Sequence, residues 1–379
     1  MKEGWKMVKL KNICDKASSN VAQKDLDNNN GEYPIYGASG FIKKVDFFHY
    51  DKPYIGIVKD GSGVGRVNIY PANSSLLGTL QYILPKTGYE LGFVYYALQS
   101  LNLSKYKVGA AIPHIYFRDY GEKELSVPPL EEQHRIVSIL DASFEKIDAL
   151  KKNAEENLKN AKALFQQVLA QELKPKEGWV EKKLQDVCEI INGYAFPSSA
   201  FKKNNEVKVI KITNVGVGKF IKDDENKLPQ HYLTDVENVI INELDIVVAL
   251  TRTIIAEGLK VAIVPKEYDG ALLNQRVAAL RMYPKVLLRE YLYYYFQTKY
   301  AKEYVLSRVN TLMQPNLSIK DLRDMPIPYL PFETQQHIVR ILDTLSEKCR
   351  RLEEVAQQTI RECDALKQSI LRQAFSGEL

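Results

Sequence analysis

P-L-E-E-Q-H-R-I-V-S-I-L-D, running from Pro129 to Asp141, is written again as P-F-E-T-Q-Q-H-I-V-R-I-L-D from Pro331 to Asp343. Each stretch opens a long charged segment, and both segments close on the same dipeptide, Glu172-Leu173 and Glu378-Leu379. A repeat this long predicts one structural unit used twice. In the first copy Ile136, Leu140, Phe144, Ile147, Leu150, Ala154, Leu158, Ala161, Phe165 and Val168 recur in steps of three and four. In the second the same steps place Ile338, Leu342, Leu345, Cys349, Leu352, Ala356, Ile360, Cys363, Leu366 and Ile370. That spacing puts each set on one seam of an α-helix. At 1.5 Å per residue each helix spans about 60 Å. A lone amphipathic rod cannot bury its own stripe, so each helix needs a partner, and the chain supplies one. The plainer reading is two bundle helices in unrelated domains.

A second repeat lies outside the first. Lys2-Glu3-Gly4-Trp5 returns as Lys176-Glu177-Gly178-Trp179, and these are the only tryptophans. The chain is therefore two tandem units, each opening on one short element and ending on one long helix. Between these ends the units diverge, with a weak correspondence of Phe93 to Gln99 with Tyr291 to Gln297. Likewise Pro113-His114-Ile115 matches Pro315-Asn316-Leu317. The second middle region is longer, and its helix is longer by about one turn. Runs such as Tyr54 to Val58, Val67 to Tyr70, Leu80 to Leu84, Asp245 to Leu250 and Val277 to Leu280 read as short strands between Gly, Pro and Asn turns. Two α+β domains on a helical spine follow, with Lys174-Pro175-Lys176 as the hinge between units.

At 379 residues, 45% hydrophobic and 26% charged, the chain has the make-up of a soluble protein with two or three domains. No run of eighteen apolar residues and no signal-peptide pattern occurs, so a cytoplasmic protein is expected. Cys14, Cys188, Cys349 and Cys363 have no zinc or C-x-x-C spacing. The net charge of +5 is compatible with nucleic acid but does not single it out.

Catalytic signatures are missing. There is no G-x-x-x-x-G-K-[ST] loop to cradle phosphates, no H-E-x-x-H and no G-x-S-x-G. No Asn-Pro or Asp-Pro dipeptide exists to build an amino-methyltransferase motif. Asp60-Gly61-Ser62-Gly63-Val64-Gly65 has the glycines of a phosphate nest, but lacks the Lys-Ser/Thr and the following helix. Binding is better supported. Lys43, Lys44, Lys59 and Arg66 interleave with aromatic residues such as Tyr36, and Ser39, Ser62 and His114 offer polar groups beside them. In the second unit Lys219, Arg252 and Arg276 accompany Asn214, Thr251, Asn274, Gln275, Gln314 and Asn316. Cations in turns can neutralise phosphates while neighbours read base edges, Arg suiting guanine and Asn or Gln adenine. Any one of them could equally be a solvated surface residue.

With these residues in view, the chain resembles the specificity subunits of Type I restriction–modification enzymes. The resemblance is carried by the two Pro-Leu/Phe-Glu-x-Gln helix starts, the K-E-G-W openings, Tyr33 to Gly40 (Y-P-I-Y-G-A-S-G) and the terminal Ala374 to Leu379. It covers essentially the full length. It implies a target-recognition domain over residues 1–128, a spacer helix over 129–174, a second recognition domain over 175–330 and a second spacer helix over 331–379. The helices would run antiparallel as a coiled coil, with a pseudo-two-fold axis relating the units. Each domain would read one half of an interrupted duplex DNA sequence, and unlike domains imply an asymmetric target. The subunit would have no catalysis and no cofactor of its own. It would recruit two modification subunits, which use S-adenosylmethionine, and through them restriction subunits, which use ATP and Mg. Gln133, Ile136, Leu140, Gln335, Ile338 and Leu342 on the helix starts would form the docking surface. The other reading is a coiled-coil adapter for protein or RNA.

Overall fold

A computed structural model of the protein describes residues 4–110, 112–176, 179–223, 225–256, 258–309 and 315–379. Lys2, Glu3, Glu177 and Gly178 of the repeated openings, and Gln314, lie outside the described residues. Among the described residues no helix is long and apolar enough to cross a membrane.

Both long helices form, over Leu130–Glu172 (43 residues) and Phe332–Ser376 (45 residues). Pro129 and Pro331 start them, each carbonyl accepting the first helical bond from Gln133 or Gln335 at 3.0 Å. Glu131 and Glu132 in one first turn, and Glu333 in the other, complement the positive helix end.

The chain divides into two compact units, but not at Lys174 to Lys176. One unit holds 1–156 and 356–379; the other holds 157–355. The division falls inside both long helices because the start of each helix packs on its own domain, while its end packs on the other. Leu169 and Leu173, at the end of the first helix, are fully buried in the second unit's core with Leu184, Leu322 and Leu342. Leu371 and Ala374, at the end of the second helix, join Trp5, Phe93, Ile136 and Leu140 in the first unit's core.

In the first unit the two helix pieces run antiparallel, since Asp148 pairs with Lys367 and Lys151 with Asp364, at 2.6 and 2.7 Å. Ile136, Leu140, Phe144, Ile147 and Ala154 are buried on the expected seam, as are Ile338, Leu342, Cys349, Ala356 and Cys363. Leu150, Leu352 and Leu366 are not: they are 54%, 54% and 48% exposed. One partner helix covers a narrow stripe, and these three lie beyond its edge.

Each domain is built the same way. In the first, a four-stranded antiparallel sheet has the order Cys14–Ser18, Leu80–Pro85, Tyr54–Val58, Val67–Tyr70. In the second the order is Cys188–Asn192, Val277–Met282, Ile246–Ala249, Val261–Ile263. A smaller sheet in each contains one parallel pairing, Ile35 with Ser75 and Val209 with Leu272. A two-stranded ribbon, Lys6–Lys9 with Glu124–Val127 or Val180–Lys183 with Pro326–Tyr329, leads into each long helix. Cys14 and Cys188 fill equivalent places, each thiol donating 3.3 Å to the carbonyl four residues earlier, Leu10 or Leu184. Burial pushes both thiols up to about 12, so they stay neutral and act as small core groups.

Candidate nucleic-acid interface

The loops at one end of each four-stranded sheet are tied together by backbone bonds, and the ties match between the domains. In the first domain the Val58 N–H donates to Arg66, Lys59 to Thr79, Leu77 to Tyr36, Gly78 to Val21 and Ile115 to Lys59. In the second, Ala249 donates to Lys260, Leu250 to Arg276, Asn274 to Ile210, Gln275 to Tyr194 and Leu317 to Leu250. A bridge between Asp60 and His114 answers one between Thr251 and Asn316. The likeness of Pro113-His114-Ile115 to Pro315-Asn316-Leu317 is thus a structural equivalence: both segments pair with the loop that follows the central strand.

A cation on each frame bonds backbone carbonyls of neighbouring loops. Arg66 donates through Nη2 to the Ala38 carbonyl at 2.9 Å and through Nε to Gly63 at 3.3 Å. Its counterpart Lys260 donates to the Ile212 carbonyl at 2.7 Å. Burial, and then the charge of Arg252, lowers the proton affinity of Lys260.

The remaining candidates separate by exposure. Ser39, Lys44, Ser62, Lys219, Arg252, Gln275, Arg276 and Asn316 are exposed. Lys59, His114, Thr251 and Asn274 are half-buried beside them, Lys59 in an ion pair with Asp60 at 2.6 Å. Three candidates have structural duties instead. Asn214 is fully buried, accepting from Lys211 N–H and donating to the Ile221 carbonyl, both at 2.8 Å, so it closes its own loop rather than facing a ligand. Lys43 donates to the Leu26 carbonyl at 2.8 Å, and Tyr36 packs its ring against Tyr70 and Phe41. Near His114, Arg118 stands 4.6 Å over the Tyr116 ring, which itself meets the His114 ring edge-on. Neither is among the contact residues expected from the sequence, although Tyr-Phe-Arg directly after Pro-His-Ile is legible there as an aromatic–cation cluster.

The docking residues expected on the helix starts need correction. Ile136, Leu140, Ile338 and Leu342 are core side chains, and Gln133 and Gln335 are 1% and 0% exposed. Gln133 accepts from Glu90 N–H at 2.9 Å and donates to the Pro128 carbonyl at 3.0 Å. Gln335 accepts from Leu288 N–H and donates to Leu330, both at 2.8 Å, and to Val286 at 3.2 Å. Glu90 and Leu288 are the N-cap residues of helices Leu91–Ser100 and Arg289–Tyr295. Each glutamine therefore fastens a long helix to the short helix of its own domain. Tyr96 to Asp141 and Tyr294 to Asp343 repeat the fastening one step further along. The large apolar side chains that the long helices leave exposed are Leu130, Leu150 and Leu366 in the first unit, with Leu164, Leu352 and Val355 in the second.

The comparisons with known proteins agree on one family. The model for the Type I restriction modification DNA specificity domain matches twice, over residues 2–160 and 176–362. The MjaVIII Type I restriction enzyme specificity subunit of Methanocaldococcus jannaschii is 24% identical, across all of this chain and 93% of its own length. The EcoAI specificity subunit of Escherichia coli is 32% identical over 48% of this chain and 31% of that protein. Among solved structures, a chain from work on complex assembly and conformational transition of the type I R-M system superposes with a TM-score of 0.73 at 21% identity, covering 100% of this chain and 99% of that one. The HsdS subunit of Thermoanaerobacter tengcongensis gives 0.56 at 20% identity, covering 100% and 98%.

Proposed function

Because this chain belongs to the Type I restriction modification DNA specificity family, we propose that it reads a two-part, asymmetric sequence in duplex DNA, one part per domain, and that it works in the cytoplasm. Residues 1–128 and 175–330 are the two readers, and 129–174 with 331–379 are the spacer helices that set the distance between the two parts. One observation carries this reading: a single hydrogen-bond frame presents different side chains in the same slots. Where the first domain has Gly61, His114, Gly78 and Thr79, the second has Arg252, Asn316, Gln275 and Arg276. A shared frame with unlike contact groups is the chemistry of one docking geometry and two base sequences.

The chain is the recognition component and has no catalysis of its own; modification subunits bring S-adenosylmethionine, and restriction subunits joined through them bring ATP and Mg. Each unit exposes apolar side chains on its helix pieces, Leu150 and Leu366 among those of the first and Leu164 and Leu352 among those of the second, and this supports one modification subunit per unit, two in all. No feature favours an adapter for protein or RNA.

The test is co-expression with a modification subunit, followed by mapping of adenine methylation. A two-part asymmetric motif is expected, with one part changing when residues 15–125 are exchanged for those of a relative. No complex and no motif would sink the proposal. Within the second part, Arg276→Ala is expected to cost about 1–3 kcal/mol of discrimination at one base pair, leaving the first part unchanged. Competition binding against single-base variants of the target measures it, and equal affinities before and after the change would remove Arg276 from the interface.

A further inference from the structure

The left-handed slot after the bridge separates the two domains most sharply. In the first domain the residue following Asp60 is Gly61, at φ +91° with open space where a Cβ would stand. In the second the residue following Thr251 is Arg252, at φ +49°. Glycine adopts this region freely, whereas a side chain with a Cβ is strained there. The strain is held in place from both sides. The Leu250 N–H donates to Arg276 at 2.9 Å, Leu317 to Leu250 at 2.8 Å, Thr253 to Pro315 at 3.2 Å and Lys260 to Thr253 at 2.8 Å. Pro315 thus takes its bond from Thr253, whereas Pro113 takes its bond from Gly61, so Arg252 is pushed out as a one-residue bulge.

The side chain on that bulge is exposed, and among the described residues no hydrogen bond or ion pair holds its guanidinium. The charge of Arg252 instead lowers the proton affinity of another cation, Lys260, whose ammonium is tied to the Ile212 carbonyl. Strain and like-charge repulsion both act against the folded chain, and neither returns a contact within it. A residue that weakens its own fold in this way points outward, to a ligand rich in acceptors.

We propose that Arg252 is a specificity-determining residue that reads one guanine in the half-sequence recognised by the second domain, its pinned left-handed backbone aiming the guanidinium at the O6 and N7 edge. This rests on the DNA-reading function proposed above. Two parallel donors match two acceptors on guanine, and a backbone held on four sides removes the freedom that a flexible arginine would lose on binding. Lys260, tied to the Ile212 carbonyl, adds to the local positive potential.

The test compares Arg252→Gly, Arg252→Ala and Arg252→Lys in the full chain assembled with its modification subunits. Glycine relieves the left-handed strain and alanine does not, so the glycine variant is expected to melt about 2–4 °C above the alanine variant. All three are expected to lose roughly 5- to 150-fold discrimination for guanine at one position, because lysine keeps the charge but not the paired donors. A glycine variant melting with or below the alanine variant overturns the strain argument. Affinity falling equally on all sequences, rescued by lysine and with a shallower salt slope, makes Arg252 a phosphate contact and overturns the assignment. A wild-type two-part motif unaltered in the variants overturns the assignment alone. A wild-type complex with no sequence preference overturns the proposed function together with it.

Discussion

Gln335→Ala is expected to lower the unfolding free energy of the second unit by about 3 kcal/mol, more than any surface change on the same helix. The side chain is fully buried and serves three backbone groups: Leu288 N–H at 2.8 Å, Leu330 carbonyl at 2.8 Å and Val286 carbonyl at 3.2 Å. Alanine leaves all three without partners where water enters poorly, and each orphan costs about 1–3 kcal/mol. The loss is mechanical too, because the amide joins the start of the long helix to the N-cap of helix Arg289–Tyr295. Gln133→Ala should act alike in the first unit through Glu90 and Pro128. The two tryptophans make the units separable, since Trp5 packs in the first core and Trp179 against the second. Urea unfolding followed by Trp179 fluorescence in a Trp5→Phe background reads the second unit alone. A loss below about 1 kcal/mol would mean that water replaces the clamp.

Gly193→Ala should abolish reading of the second half-sequence while sparing the first. A Cβ there would lie 2.0 Å from the Asn274 oxygen, 2.4 Å from its carbonyl carbon and 2.9 Å from the Gln275 nitrogen. These are backbone atoms, so no side chain can swing aside. The Gly193 to Val277 bond at 3.2 Å, Tyr194 to Leu273 at 2.9 Å and Gln275 to Tyr194 at 2.8 Å hold the same spot. Relief therefore comes by displacing residues 274–276, which present Gln275 and Arg276. Two base contacts at about 1–3 kcal/mol each are enough to erase sequence preference at that end. Methylation mapping measures it, and a normal motif from a folded Gly193→Ala protein would show that this loop does not touch DNA.

Much of the fold could be read from the letters. The seams from Ile136 and Ile338, the strands around Tyr54 and Ile246, and the tandem plan all act through side chains, which leave a period in the sequence. The docking residues were misassigned because a buried glutamine and an exposed one are written alike. Gln133 and Gln335 sit one residue from His134 and Gln336, and only the packing of a short helix over them turns two from surface into clamp. Asn214 was misread for the same reason: a polar loop residue can face solvent or bond its own backbone, and the choice lies in the turn.

The sequence by itself determined that the chain is one unit written twice, with two long helices that need each other and two unlike middles. Tertiary structure alone decided where the units divide, inside the helices rather than at Lys174 to Lys176. It also decided that the unlike middles share one frame. The physical reason is that the frame is made of backbone N–H and carbonyl groups, which every residue except proline carries in full. Arg66 can stand for Lys260, and Thr79 for Arg276, without breaking a tie, so the letters diverge while the bonds persist.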